Sequence, residues 1–377
     1  MEASLKLGNG DWGVKNDSLL AYDDFGGKFR PLPFDFTRAS SATVVNKQGL
    51  IETVQSGIPR IDFSNDANGA LLLEPQSTNY ISYSEGFNQW TIGGSVVVTD
   101  NQVISPDGTL NASILDFTSA VSSGNGVYRF TGDRTGSLSR SIYLKGASGG
   151  ESVRLSDPHM GGGSNVTLTT EWKRFEYIST AENTNAGIWL RDSIGNVIHA
   201  YGAQLEQSSY PTSYIPTQGA ISTRLAETCS GGGSDQVINS TEGTIYGEFS
   251  NTENDTNSNR VNLSDGTVFN WVFIGKDGVN VRAYLRANNI TVLSNKTTPL
   301  ASINKVALSY KSGNIKVYIN GVQIISSTDV FSFTAPLNQM NFGTFNGQGT
   351  TTKASWKSAQ LYNTALTDAE LIALTTI

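Results

Sequence analysis

The chain of 377 residues is short of cysteine and histidine. Its single cysteine, Cys229, excludes an intrachain disulfide framework. The two histidines, His159 and His199, lie in different strand-like segments, and neither has a Cys, Asp or second His at the spacing of a metal site. We therefore expect both histidines to be surface or partly buried strand residues rather than catalysts.

Charge and long apolar runs are also scarce. Charged residues make up only 16% of the chain, and the net charge is −7. We expect no nucleic-acid partner, because such binding depends on a basic surface. No apolar run approaches the length of a membrane span, and residues 1–13 lack the basic-then-apolar order of a signal peptide. We therefore expect that the protein does not insert into a membrane and that it is synthesised in a cytoplasm.

Turn-forming and strand-forming residues dominate what is present. The chain has 39 glycines, and serine, threonine and asparagine are abundant beside Val, Tyr and Phe. Residues 303–325 show the clearest pattern, since apolar side chains alternate with polar ones on both sides of a break at Ser312–Asn314. Asn320-Gly321 then predicts a tight hairpin turn. Three such strands need a second sheet over their apolar face, so this region predicts a β-sandwich.

Composition divides the chain into four segments. Residues 1–80 form an irregular region whose scattered aromatics predict packing against a later domain, a second copy of the chain or a docking partner. Residues 81–226 predict one sandwich or jelly roll, 227–242 a Gly/Ser-rich linker and 243–377 a second jelly roll. Thr367 and Glu370 form a capping-box pattern that predicts one short C-terminal helix. The predicted fold class is all-β, with two jelly-roll sandwiches in tandem after the irregular N-terminal region.

Three short stretches resemble a module found in bacteriophage virion proteins, which is typically followed by a carbohydrate-binding-module-like sandwich. They are FTRASSAT at 36–43, PRIDF at 59–63 and LLLEPQSTN at 71–79. The continuation is matched by SEGFNQW at 84–90, EWKRF at 171–175 and the ending from Gly202 to Arg224. The resemblance covers residues 36–226 and implies that residues 1–80 dock to other virion proteins.

The last segment is similar to the concanavalin A-like, laminin-G-type jelly roll. The matching stretches are Lys305–Tyr310, Lys316–Gly321 and Leu361–Leu371. This resemblance indicates a fold more than a ligand. Fibres of bacteriophages are usually trimeric, so the two resemblances together imply a homotrimer located in the virion.

Sugar binding requires aromatic faces for stacking, with fixed polar groups beside them for the hydroxyls. The candidates for ligand binding are Trp90, Tyr128, Trp189, Arg191 and Tyr201 in the middle segment, and Trp271, Tyr284 and Tyr318 in the last. Two alternatives stay open, because Trp90 is also suited to a core and Trp189 alternates with Ile188 and Leu190. A covered sheet face would produce the same pattern as an exposed one.

The sequence predicts no cofactor, with calcium as the one alternative. Residues 251–259 and Asp265 are rich in the oxygen donors that calcium prefers, and calcium commonly stabilises sandwiches of both resembled kinds. The order of these donors does not match an EF-hand, however, and Asn-rich loops are usually solvated turns.

No catalytic motif is present. The chain has no GxSxG, no P-loop and no Glu-x-Asp-x-x-Glu run, although isolated acids such as Glu171, Glu176 and Glu248 leave pairing in space open. We predict a non-enzymatic virion protein, a tail or head fibre component that displays glycan-binding or receptor-binding sandwiches for host attachment. The alternatives are a decoration or assembly protein without a ligand, and a polysaccharide depolymerase.

Overall fold

The computed structural model describes residues 2–24, 29–159, 162–250, 255–343 and 352–377, which are almost entirely β. In chain order the strands are β1 (Leu5–Gly8), β2 (Gly13–Lys15), β3 (Ser18–Asp24), β4 (Phe29–Thr37), β5 (Ala42–Val45), β6 (Ile51–Val54), β7 (Arg60–Asp62), β8 (Ala70–Leu73), β9 (Ser77–Asn79), β10 (Thr91–Gly93), β11 (Val97–Ile104), β12 (Leu110–Asp116), β13 (Gly126–Gly146), β14 (Ser152–Ser156), β15 (Gly163–Thr167), β16 (Lys173–Arg191), β17 (Val197–Glu206), β18 (Ser222–Arg224), β19 (Thr228–Gly232), β20 (Glu242–Ser250), β21 (Ser258–Ser264), β22 (Trp271–Asp277), β23 (Asn280–Ala287), β24 (Ile290–Pro299), β25 (Asn304–Lys311), β26 (Ile315–Ile319), β27 (Val322–Ser327), β28 (Gln339–Gly343) and β29 (Ala354–Tyr362). The helix α1 (Asp368–Thr375) ends the chain. Among the described residues, no helix is long and apolar enough to cross a membrane.

The strands gather into two compact units. Unit 1 comprises residues 1–41, 54–75 and 225–377, and unit 2 comprises residues 42–53 and 76–224. The chain therefore leaves and re-enters unit 1 twice, and unit 2 is built largely from one long insertion. This division differs from the four consecutive segments that composition suggested.

Unit 1 is a sandwich of two antiparallel layers. One layer runs β24-β23-β22-β21-β28-β19-β4-β3, and the other runs β29-β20-β25-β26-β27. Strand β1 pairs with β3 on one side and β29 on the other, and so joins the two layers. A continuous apolar core fills the space between the layers, as expected for packed sheets.

The N-terminal residues belong to this sandwich, which corrects the prediction of a separate irregular docking region. Leu19, Phe34, Phe36 and Leu71 are fully buried in the core of unit 1. Of the three packing alternatives drawn from the sequence, packing against a later domain is the one the structure shows. These side chains are consequently not available for the interchain or virion contact that the resemblance implied. Some strands of this region are only three residues long, and β4 contains two prolines. The alternation of apolar and polar residues that predicts a strand was therefore not visible in the sequence.

The predicted linker at 227–242 also contains a strand. Strand β19 lies between β4 and β28, and Cys229 is fully buried, which raises the pKa of its thiol. Gly232 packs so closely on Phe34 that an added Cβ would lie 2.3 Å from the ring. Glycine is therefore present here for close packing, although its density in the sequence has the appearance of a flexible linker.

Other local predictions are confirmed. Asn320 and Gly321 both have positive φ, at 50° and 80°, and they connect β26 to β27 as a two-residue turn. Thr367 caps α1 with a complete capping box that includes Glu370. The helix buries Leu371 against β-strand residues of unit 1. The all-β fold class with one short C-terminal helix is confirmed.

Unit 2 has a sheet of eight strands in the order β11-β12-β17-β13-β16-β14-β15, with β10 beside β13. The long strands β13 and β16 pair over most of their length and carry much of its separate apolar core. The hairpin β5–β6 and the pair β9–β18 form two further small sheets. Strand alternation in β13 and β16 decides which side chains face outward, and it therefore positions the candidate site.

Candidate functional site

The structure brings three of the predicted residues together on the outer side of unit 2. Val127, Leu155 and Leu190 point into the core, so their strand neighbours point outward. Tyr128 on β13 lies directly opposite Trp189 on β16, and Arg191 lies opposite Arg154 on β14. We call this surface the Trp189 face, and define it by Tyr128, Phe130, Arg154, Trp189 and Arg191.

Aromatic contacts order the Trp189 face. The ring centroids of Tyr128 and Trp189 are 6.0 Å apart with an edge-on orientation, and those of Tyr128 and Phe130 are 5.4 Å apart. The Arg191 guanidinium lies 4.4 Å from the centroid of the Trp189 ring, and its Nε donates to Ser156 Oγ at 3.3 Å. The tyrosine and tryptophan are half-buried and Phe130 is 38% exposed. The result is an accessible row of rings that ends in a fixed cation.

A second group of predicted residues lies on the outer side of unit 1. Trp271 on β22 and Tyr284 on β23 surround Phe273, whose ring stacks on Tyr284 at 5.0 Å. The guanidinium groups of Arg260 and Arg282 lie 4.3 and 5.6 Å from the Phe273 centroid. Phe273 is only 1% exposed and Tyr284 only 8% exposed. This cluster is therefore largely closed, and exposure favours the Trp189 face as the binding site.

The remaining predicted residues are buried, which corrects their assignment as ligand-binding side chains. Trp90 packs on Phe87 in the core of unit 2, and its Nε1 donates to Tyr83 O at 2.8 Å. Tyr201 and Tyr318 are each 2% exposed. Their hydroxyls donate to Asp107 and Asp368 within the protein. Aromatic residues next to polar ones occur in half-buried strands as well as in sugar-binding surfaces, so the sequence pattern alone did not distinguish a buried ring from a binding one.

Sequence reasoning missed Phe130 and Phe273. Each lies two positions after a predicted aromatic, Tyr128 and Trp271 respectively, so each projects from the same side of its strand. Applying the two-residue period from each predicted ring would have found both.

The motifs that carry the virion-module resemblance form a buried ionic cluster in unit 1. Arg38, Arg60, Glu74 and Glu227 have no exposed side-chain surface. Glu227 accepts from Arg38 at 2.8 Å and from Arg60 at 2.6 and 2.8 Å, and Glu74 accepts from Arg60 at 2.9 Å. Burial lowers the pKa of Arg60, but the two carboxylates outweigh it and hold that pKa above its ordinary value. The three motif residues Arg38, Arg60 and Glu74 therefore join Glu227 in holding the fold together and do not present a ligand site.

A partly buried network joins two carboxyl groups of unit 2. Glu85 accepts from the Tyr214 hydroxyl at 2.8 Å, and Asp107 accepts from Tyr201 at 3.0 Å and Asn111 at 2.9 Å. Burial, assisted by the charge of Asp107, raises the pKa of Glu85. Burial also opposes the ionised form of Asp107, but hydrogen bonds from Ser105 and other neighbours lower the pKa of that carboxyl to about 2. The pKa values of these two carboxyl groups are thus shifted in opposite directions.

A cavity of about 320 Å³ in unit 1 contains the other notable carboxylates. Lys357 bridges Asp66 at 2.8 Å and Glu248 at 3.3 Å within its lining. Contacts with Lys357 and Asn68 outweigh burial and lower the pKa of Asp66. Lys357 thus pairs with both carboxylates of this cavity. Glu171 and Glu176 are exposed on unit 2.

The predicted calcium loop lies partly outside the described residues, because 251–254 are among those not described. Asp255 contacts Lys276 at 2.7 Å, and Asp265 accepts from Asn270 at 2.7 Å. Within the part of the chain that the structure describes, no group of three or more His, Cys, Asp or Glu side chains is arranged to hold a metal ion. Asp255 and Asp265 are thus engaged with the protein itself.

Comparison with known proteins gives one family match. Residues 234–372 match the model of the concanavalin A-like lectin/glucanases superfamily. That part of unit 1 has a concanavalin A-like fold, as the sequence resemblance predicted. The match begins after the N-terminal strands that complete the same sandwich. No curated protein matches the chain.

Several solved structures of carbohydrate-binding domains are similar to parts of this chain. The CBM40 domain of a Ruminococcus gnavus IT-sialidase is 24% identical, with a TM-score of 0.32, over 39% of this chain and 93% of that domain. Domain 4 of the arabinanase AbnA from Geobacillus stearothermophilus is 18% identical, with a TM-score of 0.33, over 44% of this chain and 81% of that domain. The tandem CBM22 domains of Paenibacillus barcinonensis Xyn10C are 10% identical, with a TM-score of 0.27, over 78% of this chain and 99% of that tandem.

Proposed function

We propose that this protein binds glycans through the Trp189 face and performs no chemistry on them. One observation carries the proposal: Tyr128, Trp189 and Arg191, which are distant in sequence, converge on one accessible sheet face. Aromatic rings stack on the C–H faces of sugar rings, and a fixed guanidinium donates hydrogen bonds to sugar oxygens. The match of residues 234–372 to the concanavalin A-like lectin/glucanases superfamily supports a carbohydrate as the partner.

A glycan array probed with the full chain tests this proposal. Wild type is expected to bind a defined subset of glycans, and Trp189→Ala is expected to weaken that binding by roughly tenfold or more, the loss expected when a central aromatic contact is removed. Trp189→Phe keeps one aromatic ring but loses part of the indole surface, including an Nε1 that is buried without a hydrogen-bond partner among the described residues, so it is expected to retain part of the binding. Ile178→Ala is the control, since Ile178 is exposed on the same strand.

Two outcomes would contradict glycan binding at this face. One is an array without any signal above background from correctly folded wild type. The other is equal binding by wild type and Trp189→Ala, with thermal unfolding showing both to be folded. Release of reducing ends or unsaturated sugars from a bound polysaccharide would instead establish the depolymerase alternative.

We further propose that the protein is a bacteriophage tail or head fibre component that uses this binding for host attachment. The support is the resemblance of residues 36–226 to virion modules. Because Leu19, Phe34 and Phe36 lie in the core of unit 1, attachment to the particle would use other surfaces than these side chains. Mass spectrometry of purified particles is expected to detect the chain. Light scattering after size-exclusion chromatography is expected to give a trimer, and a monomer at micromolar concentration would contradict the fibre assignment.

A further inference from the structure

The Trp189 face carries two arginines directly opposite each other. Arg154 on β14 and Arg191 on β16 are cross-strand neighbours in the antiparallel register. Like charges in this arrangement repel, and they destabilise a sheet unless another charge compensates them. The chain as a whole has a net charge of −7, so this local pair contrasts with the rest of the molecule.

The Arg191 guanidinium is fixed in position but incompletely bonded. Stacking on Trp189 at 4.4 Å and the Nε bond to Ser156 hold the group in place. Its Nη1 lies 3.6 Å from Asp192 Oδ2, which is beyond an ordinary hydrogen bond. Within the described chain, neither Nη of Arg191 donates a hydrogen bond. The terminal amino groups, which form the fork that recognises a carboxylate, are therefore available.

Asp192, next in the chain, adds a strained acceptor beside this fork. It has φ of 60°, a left-handed conformation that few residues other than glycine, asparagine and aspartate adopt. Its Oδ1 is buried without a hydrogen-bond partner among the described residues, although the side chain is 28% exposed. Strained residues with unmet hydrogen-bonding capacity are concentrated at ligand sites. An acceptor at this position is suited to a sugar hydroxyl.

The nearest neighbours of the arginines on β14 and β15 are neutral. The register places Ser152, Ser156, Gly163 and Asn165 on the same side of β14 and β15, and none carries a charge. The Nη groups of Arg191 thus have no hydrogen-bond acceptor among the described residues. A carboxylate of the ligand would supply one.

We propose that the ligand of the Trp189 face is an acidic glycan, whose sugar carboxylate binds the guanidinium of Arg191 beside Arg154 while its ring stacks on the Tyr128–Trp189 row. This proposal rests on the glycan binding proposed above and specifies the class of sugar. A planar carboxylate matches the guanidinium fork with two parallel hydrogen bonds, which a hydroxyl group does not provide. An extended nucleic acid is disfavoured, because the remainder of the chain is acidic.

The test compares carboxylated polysaccharides with their carboxyl-reduced forms, using the full chain and isothermal titration calorimetry. Polygalacturonate, hyaluronan and polysialic acid serve as probes, since reduction removes the charge and keeps the backbone. At least one acidic form is expected to bind roughly tenfold or more tightly than its reduced partner, as a charge-assisted pair predicts. That preference is expected to shrink when salt is raised from about 0.05 M to about 0.5 M.

Variants assign the preference to Arg191. Arg191→Gln is expected to abolish the preference for the acidic form, while weaker binding of both forms remains. Arg191→Lys keeps the charge but loses the fork, so it is expected to retain part of the preference. Arg174→Gln is the matched control, because Arg174 lies on the same strand, stacks on Tyr143 at 5.6 Å and bonds Ser141 Oγ at 2.7 Å. Its removal is expected to leave the preference unchanged.

Four results would overturn this inference. Equal affinity for acidic and reduced forms, with both lost in Trp189→Ala, would leave glycan binding intact and refute only the carboxylate. A preference that Arg191→Gln does not alter would place the carboxylate elsewhere. Tighter binding of a sulfated polysaccharide or of single-stranded DNA than of every carboxylated probe would show that the preferred anionic group is not a carboxylate. Absence of binding to all probes and to the whole array would remove the proposed function as well.

Discussion

Buried charged side chains are the residues on which this fold most depends. In unit 1, Arg38 and Arg60 converge on Glu227 from chain positions far removed from it. A buried charge is tolerated only when partners replace its lost hydration, so each member of the cluster depends on the others. The Glu85–Asp107 network in unit 2 differs, because there two carboxyl groups share one partly buried region and the charge of Asp107 helps to raise the pKa of Glu85.

Glu227→Gln is expected to destabilise the protein by roughly 3–5 kcal/mol, the usual cost of breaking a buried ion pair from one side. The substitution keeps the shape of the side chain but removes the charge that two buried guanidinium groups share. Urea unfolding measures the change. Asp11→Asn is the control, since the side chain of Asp11 is 71% exposed in its pair with Lys6, and a change within about 0.5 kcal/mol is expected there. Equal effects would show that the cluster does not stabilise the fold.

Glu85→Gln is expected to raise the melting temperature at neutral pH. The pKa of Glu85 is raised in the folded state, so the unfolded chain loses its proton first as pH rises above 4.5, and the native state loses stability over that range. The amide cannot ionise and still accepts from Tyr214. Wild type and variant should therefore melt alike near pH 4 and diverge as pH rises to 7. A difference in melting temperature that stays constant across this range, or that changes no more than the difference for the exposed Glu52→Gln variant, would show that ionisation of Glu85 does not destabilise the folded state.

At the scale of the element, β19 shows how a segment with the composition of a linker becomes a central strand. It supplies hydrogen bonds to β4 on one side and β28 on the other, and so connects the N-terminal strands to the concanavalin A-like layer. Its two neighbours come from opposite ends of the sequence. The pairing is therefore a long-range feature that no local pattern in 227–242 reports.

Gly232→Ala is expected to cost roughly 1–3 kcal/mol, because its new methyl group would overlap the ring of Phe34 in a packed core. Denaturant unfolding with fluorescence detection measures this. Gly124→Ala is the matched control, because an added Cβ there meets no atom within 4 Å. If residues 227–242 behaved as a linker, the two substitutions would have equal, small effects.

On the scale of the whole molecule, unit 1 is assembled from three separate pieces of chain. The backbone N–H of Glu227 donates to Glu74 O at 3.2 Å, so the chain returns to unit 1 beside the point where it left. The N–H of Gly57 donates to Arg38 O at 2.9 Å at the other junction. An insertion whose ends are adjacent can be large without disturbing its host.

Residues 243–377 expressed alone are expected to be insoluble or to lack cooperative unfolding, because they lack the strands that supply Leu5, Leu19, Phe34 and Phe36 to the core. A chain of residues 1–41, 54–75 and 225–377, joined by short Gly/Ser linkers, is expected to fold and to unfold in one transition. Calorimetry and near-UV circular dichroism distinguish the two. Cooperative folding of 243–377 by itself would show that the N-terminal strands are dispensable.

The sequence by itself determined the features that depend on neighbouring residues. The period-two alternation, the Asn320-Gly321 turn and the Thr367 cap are local, so the all-β class, the hairpin and the terminal helix followed from composition and spacing. Tyr128, Trp189 and Arg191 were likewise identified as candidates from their residue types and the local strand pattern.

Tertiary structure alone decided which candidates share a surface and which are buried. Trp90, Tyr201 and Tyr318 have sequence surroundings like those of Trp189, but each is buried by residues distant in sequence: Trp90 in the core of unit 2, Tyr201 beside Tyr214 and Tyr318 beside Leu371 of α1. The division into two interleaved units likewise rests on pairings such as β1–β29 and β4–β19, which join opposite ends of the chain. Burial and long-range pairing are properties of the assembled sheets, and a local pattern does not contain them.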